Sequence, residues 1–304
     1  QNLSPLVSNK NIVKKKFIHP ISNKANYVSR FLNSLNFGIR STAYITDDYD
    51  VIVFSQPDPL TNIGALLKPK PPRTIYILEV RDEWPETLIY IGKKLPFISV
   101  YIGMLTFIQN RLSNKVDKVI SSLPYYKYNN KPTLHVPTLT HQSPLKSDKL
   151  TNKKKINVVY AGGFTEQSGI LNLIELVKKV LLKDEENLLK FHFFGKGSKK
   201  KQLDKIAASN PNILIKEHVE YSELLKNMNS FDIGLISFNN WSIYKTGLNS
   251  NRMSFYLEAN ILPFVIADHF FEVNLESRIN KFSVDDLDVA SDRLIKIARD
   301  IKEN

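Results

Sequence analysis

Apolar side chains fall along this chain in two alternating patterns. Short continuous apolar runs, the mark of strands buried on both faces, lie at 50–56, 74–80, 118–122 and 133–137. Five more lie at 156–160, 189–194, 212–216, 233–238 and 264–267. A shorter run at 17–20 stands before them. Between the runs, apolar residues recur at helical spacing: Val28, Phe31, Leu32 and Leu35 share one face of a helix predicted over 26–35. Further helices are predicted at 60–67 and over 169–183, 198–208, 221–228, 250–259 and 284–302. Such regular alternation predicts an α/β protein with parallel, doubly wound sheets. A Ser-, Thr-, Lys- and Pro-rich segment interrupts it and reads as a linker at 141–154, dividing the chain into domains 1–140 and 155–304.

One apolar run does not fit a strand. Residues 95–110 carry no charge over 16 positions and are flanked by Lys93, Lys94 and Arg111. A membrane-spanning helix needs about 20 apolar residues, so this one is too short to cross. It is either a core helix or a helix lying in a membrane interface.

Composition narrows the chemistry. The 304 residues suffice for two domains of about 150 residues each. The absence of cysteine excludes disulfides and thiolate metal sites, and the six histidines show no metal-ligand spacing. A transition-metal site is therefore not expected, and no other cofactor is called for. Charge is uneven: residues 1–150 hold 20 Lys and Arg against 10 Asp and Glu, a net +10, out of +12 for the whole chain. A basic first half points to an anionic surface such as a membrane, a lipid-linked phosphate or nucleic acid, or is merely a solvated lysine-rich face. No basic repeat interleaved with aromatics supports nucleic acid.

The candidate chemistry lies in loops that follow strands. In 248–268 a loop leads into a helix and then a buried strand. Asn251 is the expected N-cap, and Arg252 brings a fork of donors suited to phosphate to a helix start whose dipole favours negative charge. Met253, Tyr256, Leu257 and Asn260 would share one face, with Pro263 ending the turn. This stretch resembles the segment that opens the diphosphate-holding helix of retaining GT-B glycosyltransferases, the large family 4. Arg252 takes the basic position, Tyr256-Leu257 the Tyr-Leu pair, and Pro263 to Ile266 the Pro-Val-Ile. Asn260 stands where the family has glycine, Phe255 or Tyr256 where it has an acid, and Glu258 is the nearest carboxylate.

Other pieces of the same pattern follow in order. Asp50 to Pro59 and Arg81-Asp-Glu-Trp-Pro-Glu86 resemble signatures of a bacterial subgroup that builds surface polysaccharides; Arg81 with Asp82 reads equally as an ion pair. Tyr160 to Gly169 resembles the family's first donor loop, but Gly163 and Ser168 replace its Arg and Lys. Phe194 to Ser198 matches a hydrophobic-x-Gly-x-Gly loop, and Lys216 to Leu224 the segment along which the base lies, with Glu217 in place of glycine. Asp232 to Phe238 matches the next strand. Trp241 and Tyr244 after it either stack on a ligand or cover the core. The family's usual first strand, glycine-rich loop and first helix have no counterpart here, which reads as a missing or divergent beginning.

The resemblance implies a GT-B architecture: two Rossmann-like domains facing across a cleft. It implies metal-independent, retaining transfer of a sugar from a nucleotide-sugar donor to a glycan or lipid-linked acceptor at the cytoplasmic membrane face. Arg81, Asp82 and Glu258 would act at the reacting centre. The donor would be held by Gly162, Gly163, Phe164, Lys196, Glu217, His218, Val219, Lys245, Asn251, Arg252, Met253 and Ser254. Two other readings stay open: a non-catalytic subunit beside an active transferase, and a sugar-nucleotide epimerase on the same fold.

Overall fold

The computed structural model describes residues 27–46, 48–56, 58–91, 97–128, 131, 133–137, 154–216, 224 and 227–303. The predicted strand at 17–20, the linker up to 153, most of the helix at 221–228, and the site candidates Glu217, His218 and Val219 lie outside the described residues.

The first sheet is wholly parallel, with β1 (Val51–Ser55), β2 (Ile75–Val80), β3 (Lys118–Ser121) and β4 (Thr133–His135) side by side in chain order. Helices α1 (Tyr27–Ser41), α2 (Gly64–Leu67), α3 (Leu88–Ile91) and α4 (Ile98–Lys115) accompany it. The second sheet contains β5 (Ile156–Ala161), β6 (Leu189–Phe194), β7 (Ile213–Lys216), β8 (Ile233–Ser237), β9 (Leu262–Ile266) and β10 (Asn280–Phe282). Its order is β10-β9-β8-β5-β6-β7, again all parallel. The order turns back between β5 and β8, so the sheet is doubly wound, and ligands of such sheets bind outside the strand ends at that point.

Alternation along the strands builds the second core. Val158 faces α5 (Ile170–Lys183) and the C-terminal helix (Leu287–Glu303), whereas Val159, Ile236 and Val265 face Met253 and Tyr256. Pro263 lies inside β9 rather than in the turn before it. The Leu262 N–H bonds Asp232 O of the β8 side at 3.0 Å, so the Pro263 nitrogen points toward β10, whose pairing begins only at Phe264. Asn260 has φ +51, and Asn tolerates this left-handed conformation best after glycine.

The uncharged run resolves as α4. Leu105, Ile108 and Leu112 bury one face of it, while Phe97, Val100 and Phe107 stay 82%, 71% and 59% exposed on the other. The helix runs on past Arg111 because the Lys115 ammonium reaches back to the carbonyls of Ala65 and Lys68 at 2.9 and 2.8 Å. Short α3, β10 and a one-turn helix at Val273–Glu276 were not expected from the sequence.

His192 on β6 gives the second half a pH dependence. Its Nε2 lies 3.1 Å from Asn157 Oδ1, an acceptor, so Nε2 carries a proton. Burial, followed by Lys190 and Lys216, lowers its pKa from 6.5 to about 4. The folded state therefore binds this proton more weakly than the unfolded chain. The stability it contributes is complete above pH 6.5 and is lost as pH falls toward 4. His192→Gln keeps an amide donor but does not titrate. Urea midpoints should show wild type losing about 1–2 kcal/mol relative to the variant across that window, the full shift being reduced by solvent screening of this partly exposed ring. A difference that stays flat with pH would refute this account.

Candidate functional site

Two loops at the C-terminal ends of β5 and β6 lock together. The Gly162 N–H donates to Phe194 O at 2.9 Å and the Phe164 N–H to Lys196 O at 2.9 Å. A side chain on Gly195 would stand 1.9 Å from Gly162 O, and one on Gly197 2.3 Å from Phe164 O. The Gly-x-Gly pattern is thus first a packing device that lets two backbones touch. The Phe164 ring is fully buried in the core and offers a ligand no side-chain surface. Gly163 and Lys196 remain exposed at the loop tips. Ser168, where the resemblance has Lys, closes its own loop: its hydroxyl lies 2.7 Å from Thr165 O and accepts the Thr165 N–H at 3.3 Å.

Arg252 comes to this place from the helix Asn251–Glu258. Its guanidinium carbon sits 5.0 Å from the centroid of the Tyr160 ring, a cation–π contact, and Nη1 would lie 3.4 Å from a Cβ on Gly162. The Tyr160 hydroxyl meanwhile donates to Gly163 O at 2.9 Å. Nη1 is buried and has no hydrogen-bond partner among the described residues. Asn251 is not the N-cap. Ser250 holds that position in extended conformation, and its carbonyl accepts the Met253 N–H at 3.0 Å, so Asn251 begins the helix proper and faces the cleft.

Tyr256, one turn beyond Arg252, is fully buried with its ring against Gly234, where any Cβ would meet it at 2.4 Å. Its hydroxyl accepts the Ala161 N–H at 3.3 Å and lies 3.3 Å from Val159 O and 3.4 Å from Leu235 O. It thereby fills the opening where β5 and β8 part, since their pairing ends at Val159 and Gly234. Met253 is buried beside it, leaving only its backbone toward a ligand, and Ser254 is half-buried in the first turn. Glu258 is the last residue of this helix, about 9 Å along the axis from Arg252 at 1.5 Å per residue, and is not brought to the helix start.

The cleft itself has a volume of about 940 Å³. Ser55, Gln56, Glu79, Arg81, Asp82 and Ser121 line it from the strand ends of the first sheet, with Asn249 and Asn251 from the second half. Arg81 pairs with Glu79 at 3.0 Å, correcting the expected pair with Asp82. Loss of water raises the Asp82 pKa even though part of the side chain opens to the cleft, and Arg81 opposes the shift. Tyr244 registers both sides: burial pushes its hydroxyl up to about 12, Asp82 adds to this and Arg252 opposes it. Asp82 of the first half and Arg252 of the second thus both act electrostatically on this hydroxyl.

The halves also meet through aromatics. Trp241 stacks on Tyr90 of the first half with centroids 4.8 Å apart, and lies parallel to Tyr244 at 6.1 Å. The Tyr125 N–H donates to Thr246 O at 2.8 Å, and the Tyr125 hydroxyl to Phe271 O at 3.2 Å. Trp241 is thus a contact between halves. Lys245 projects from the same turn, Ser242–Thr246, and is exposed. Three polar residues at strand ends escaped the sequence reading. Among the described residues, Gln56 has both side-chain polar atoms buried without a partner, and Asp268 Oδ2 and His269 Nε2 after β9 are likewise unpartnered. Their only sequence signal was a polar residue directly after an apolar run. Among the described residues no group of three or more His, Asp or Glu is arranged to hold a metal ion, and no helix is long and apolar enough to cross a membrane.

No family model and no curated protein matches this sequence. Solved structures match by shape. A Burkholderia xenovorans trehalose-phosphate synthase (UDP-forming) with glucose-6-phosphate gives a TM-score of 0.62 at 10% identity, over 90% of this chain and 72% of its own. TarM gives 0.58 at 14% identity, over 88% of this chain and 52% of its own. An alpha-glucosyltransferase in complex with UDP and a mismatched DNA 13-mer gives 0.56 at 13% identity, over 88% and 75%. The fold is GT-B. The chain spans about half the length of TarM and about three quarters of the other two.

The Tyr256 plug gives this GT-B chain a direct test. Tyr256→Phe keeps the ring on Gly234 but leaves the Ala161 N–H buried and unpaired. Denaturant unfolding should show a loss of about 1–3 kcal/mol. Unchanged stability would mean the hydroxyl does not bridge the divided strands.

Proposed function

We propose that this chain is a glycosyltransferase that takes a sugar from a nucleotide-diphosphate donor, with UDP the first nucleotide to test. The observation that carries the reading is the unpaired Arg252 guanidinium. It is held on Tyr160 beside Gly162, at the start of a helix whose first residue, Asn251, lines the cleft. A buried donor without a partner is costly, and a diphosphate oxygen would satisfy it. The helix start adds a favourable dipole. Two of the similar structures, an alpha-glucosyltransferase bound to UDP and a UDP-forming synthase, support the choice of base. Our reading further holds that transfer is metal-independent, retains anomeric configuration, and delivers hexose to a glycan or lipid-linked acceptor in surface polysaccharide synthesis.

A charge-assisted bond contributes about 1.5–3 kcal/mol. Arg252→Ala should therefore weaken UDP binding roughly 10- to 150-fold by calorimetry, while uridine without phosphate binds as before. Unchanged UDP affinity in a folded variant would sink the donor-site assignment. A second reading, a non-catalytic subunit, then moves ahead. It is favoured by Gly163 and by Ser168, whose hydroxyl is committed to its own loop.

We place the chain at the cytoplasmic face of the membrane through α4. Phe97, Val100, Met104 and Phe107 are all exposed along it, with Arg111 over the Phe107 ring at 5.2 Å. Flotation with anionic vesicles should fall with added salt, and Val100→Asp with Phe107→Asp should abolish it. Equal flotation with neutral vesicles would overturn the electrostatic part.

A further inference from the structure

The first-half wall of the cleft has a chemistry of its own. Gln56 follows β1 directly and is only 1% exposed. Its backbone is fixed by the N–H bond to Glu79 O at 2.9 Å, so the side chain is held at the cavity wall. Neither Nε2 nor Oε1 has a hydrogen-bond partner among the described residues. A buried carboxamide idle at both its donor and its acceptor is unusual, because each group has lost water without compensation. The same atoms suit a sugar, whose adjacent hydroxyls each donate and accept.

The charge around Gln56 sharpens this. Asp58, Glu79 and Asp82 line the cavity with it, against a single cation, Arg81. That cation is already paired with Glu79 at 3.0 Å, and Glu79 also accepts the Ser55 hydroxyl at 2.6 Å. Asp58 accepts the Leu60 N–H at 3.0 Å. Ser121, 1% exposed, accepts the Leu123 N–H at 3.0 Å and keeps its own proton to donate. The wall thus offers hydroxyls, a carboxamide and three carboxylates against one cation. Within a half carrying net +10, this pocket is locally acidic.

We propose that this wall is a subsite for a neutral, hydroxyl-rich sugar, that the Gln56 carboxamide reads its hydroxyls, and that the surrounding carboxylates exclude anionic sugars. The proposal rests on the transferase reading only in taking this sugar to be the acceptor. Exclusion here is a matter of repulsion as much as fit.

Binding to the full chain separates the two ideas. Methyl α-glucoside, methyl α-galactoside and methyl α-N-acetylglucosaminide are compared with glucuronate and glucose-6-phosphate by saturation-transfer NMR and calorimetry, with and without UDP. At least one neutral glycoside should bind, and both anions should bind about tenfold weaker or worse. Gln56→Leu should lose the glycoside by roughly tenfold or more, with UDP affinity unchanged. Its melting temperature should stay level or rise, since an unsatisfied buried amide has been removed. A purely structural Gln56 would lower it. Glu79→Gln frees Arg81, so glucuronate binding should appear. Failure of every neutral glycoside to bind, tighter binding of an anion, or a Gln56→Leu variant that binds like wild type would each overturn the proposal. Glycoside binding without UDP binding would leave the subsite standing and remove the transferase reading.

Discussion

One hydroxyl group holds the second sheet together at its weakest place. A doubly wound sheet must divide where its strand order turns back, and here β5 and β8 part after Val159 and Gly234. Backbone groups beyond that point lose their ladder partners while still buried, which is expensive. The Tyr256 hydroxyl meets the Ala161 N–H and stands within reach of two carbonyls there. To place it, the ring must lie flat against a strand without a side chain, which Gly234 provides. The same helix then has no freedom left. Arg252 is four residues earlier and so on the same face, which sets its guanidinium over Tyr160 on the neighbouring strand. The packing solution for the divided sheet and the position of the Arg252 guanidinium are one constraint.

A second constraint brings the remaining pieces into reach. The loops after β5 and β6 touch backbone to backbone through Gly195 and Gly197, which holds Gly162 and Gly163 against the Arg252 side of the cleft. Across the cleft, Trp241 on Tyr90 and the Tyr125 bonds to Thr246 and Phe271 tie the first half to the turn that carries Tyr244. The charges of Asp82 and Arg252 act in opposite directions on the Tyr244 hydroxyl. Rigid strands supply the residues, and a few aromatic contacts set the distance between them.

The strands were legible because parallel strands covered on both faces leave no polar alternation to confuse the pattern. Val158 and Val159 both read as buried, and both are, on opposite faces. The short elements were not legible. β10 has three partly exposed residues, including Asn280 and Lys281, and its existence depends on the neighbouring β9. At the site, the sequence identified Arg252 and the glycine loops by type and order. It did not reveal that Gly195 and Gly197 serve loop packing, that Arg81 turns to Glu79, or that Gln56 is buried with nothing to bond. Those facts arise from residues distant in sequence, and no local spacing encodes them.

Charge shows the same limit most clearly. Among the described residues, several lysines of the first half stand away from the cleft. Lys115 caps the end of α2 by bonding the carbonyls of Ala65 and Lys68. Lys70 pairs with Asp117, and Lys131 bonds Val116 O, both beside the start of β3. That is the N-terminal edge of a parallel sheet, whereas Ser55, Glu79, Arg81 and Ser121 stand at its C-terminal edge. Cations gathered at one edge neutralise carbonyls and a carboxylate there, and carboxylates gathered at the other face the cavity. With a Debye length of about 8 Å in physiological salt, charges at the two edges scarcely see each other through solvent. A sum over 150 residues therefore describes how the half approaches a surface, while the few residues lining the cavity decide what it admits.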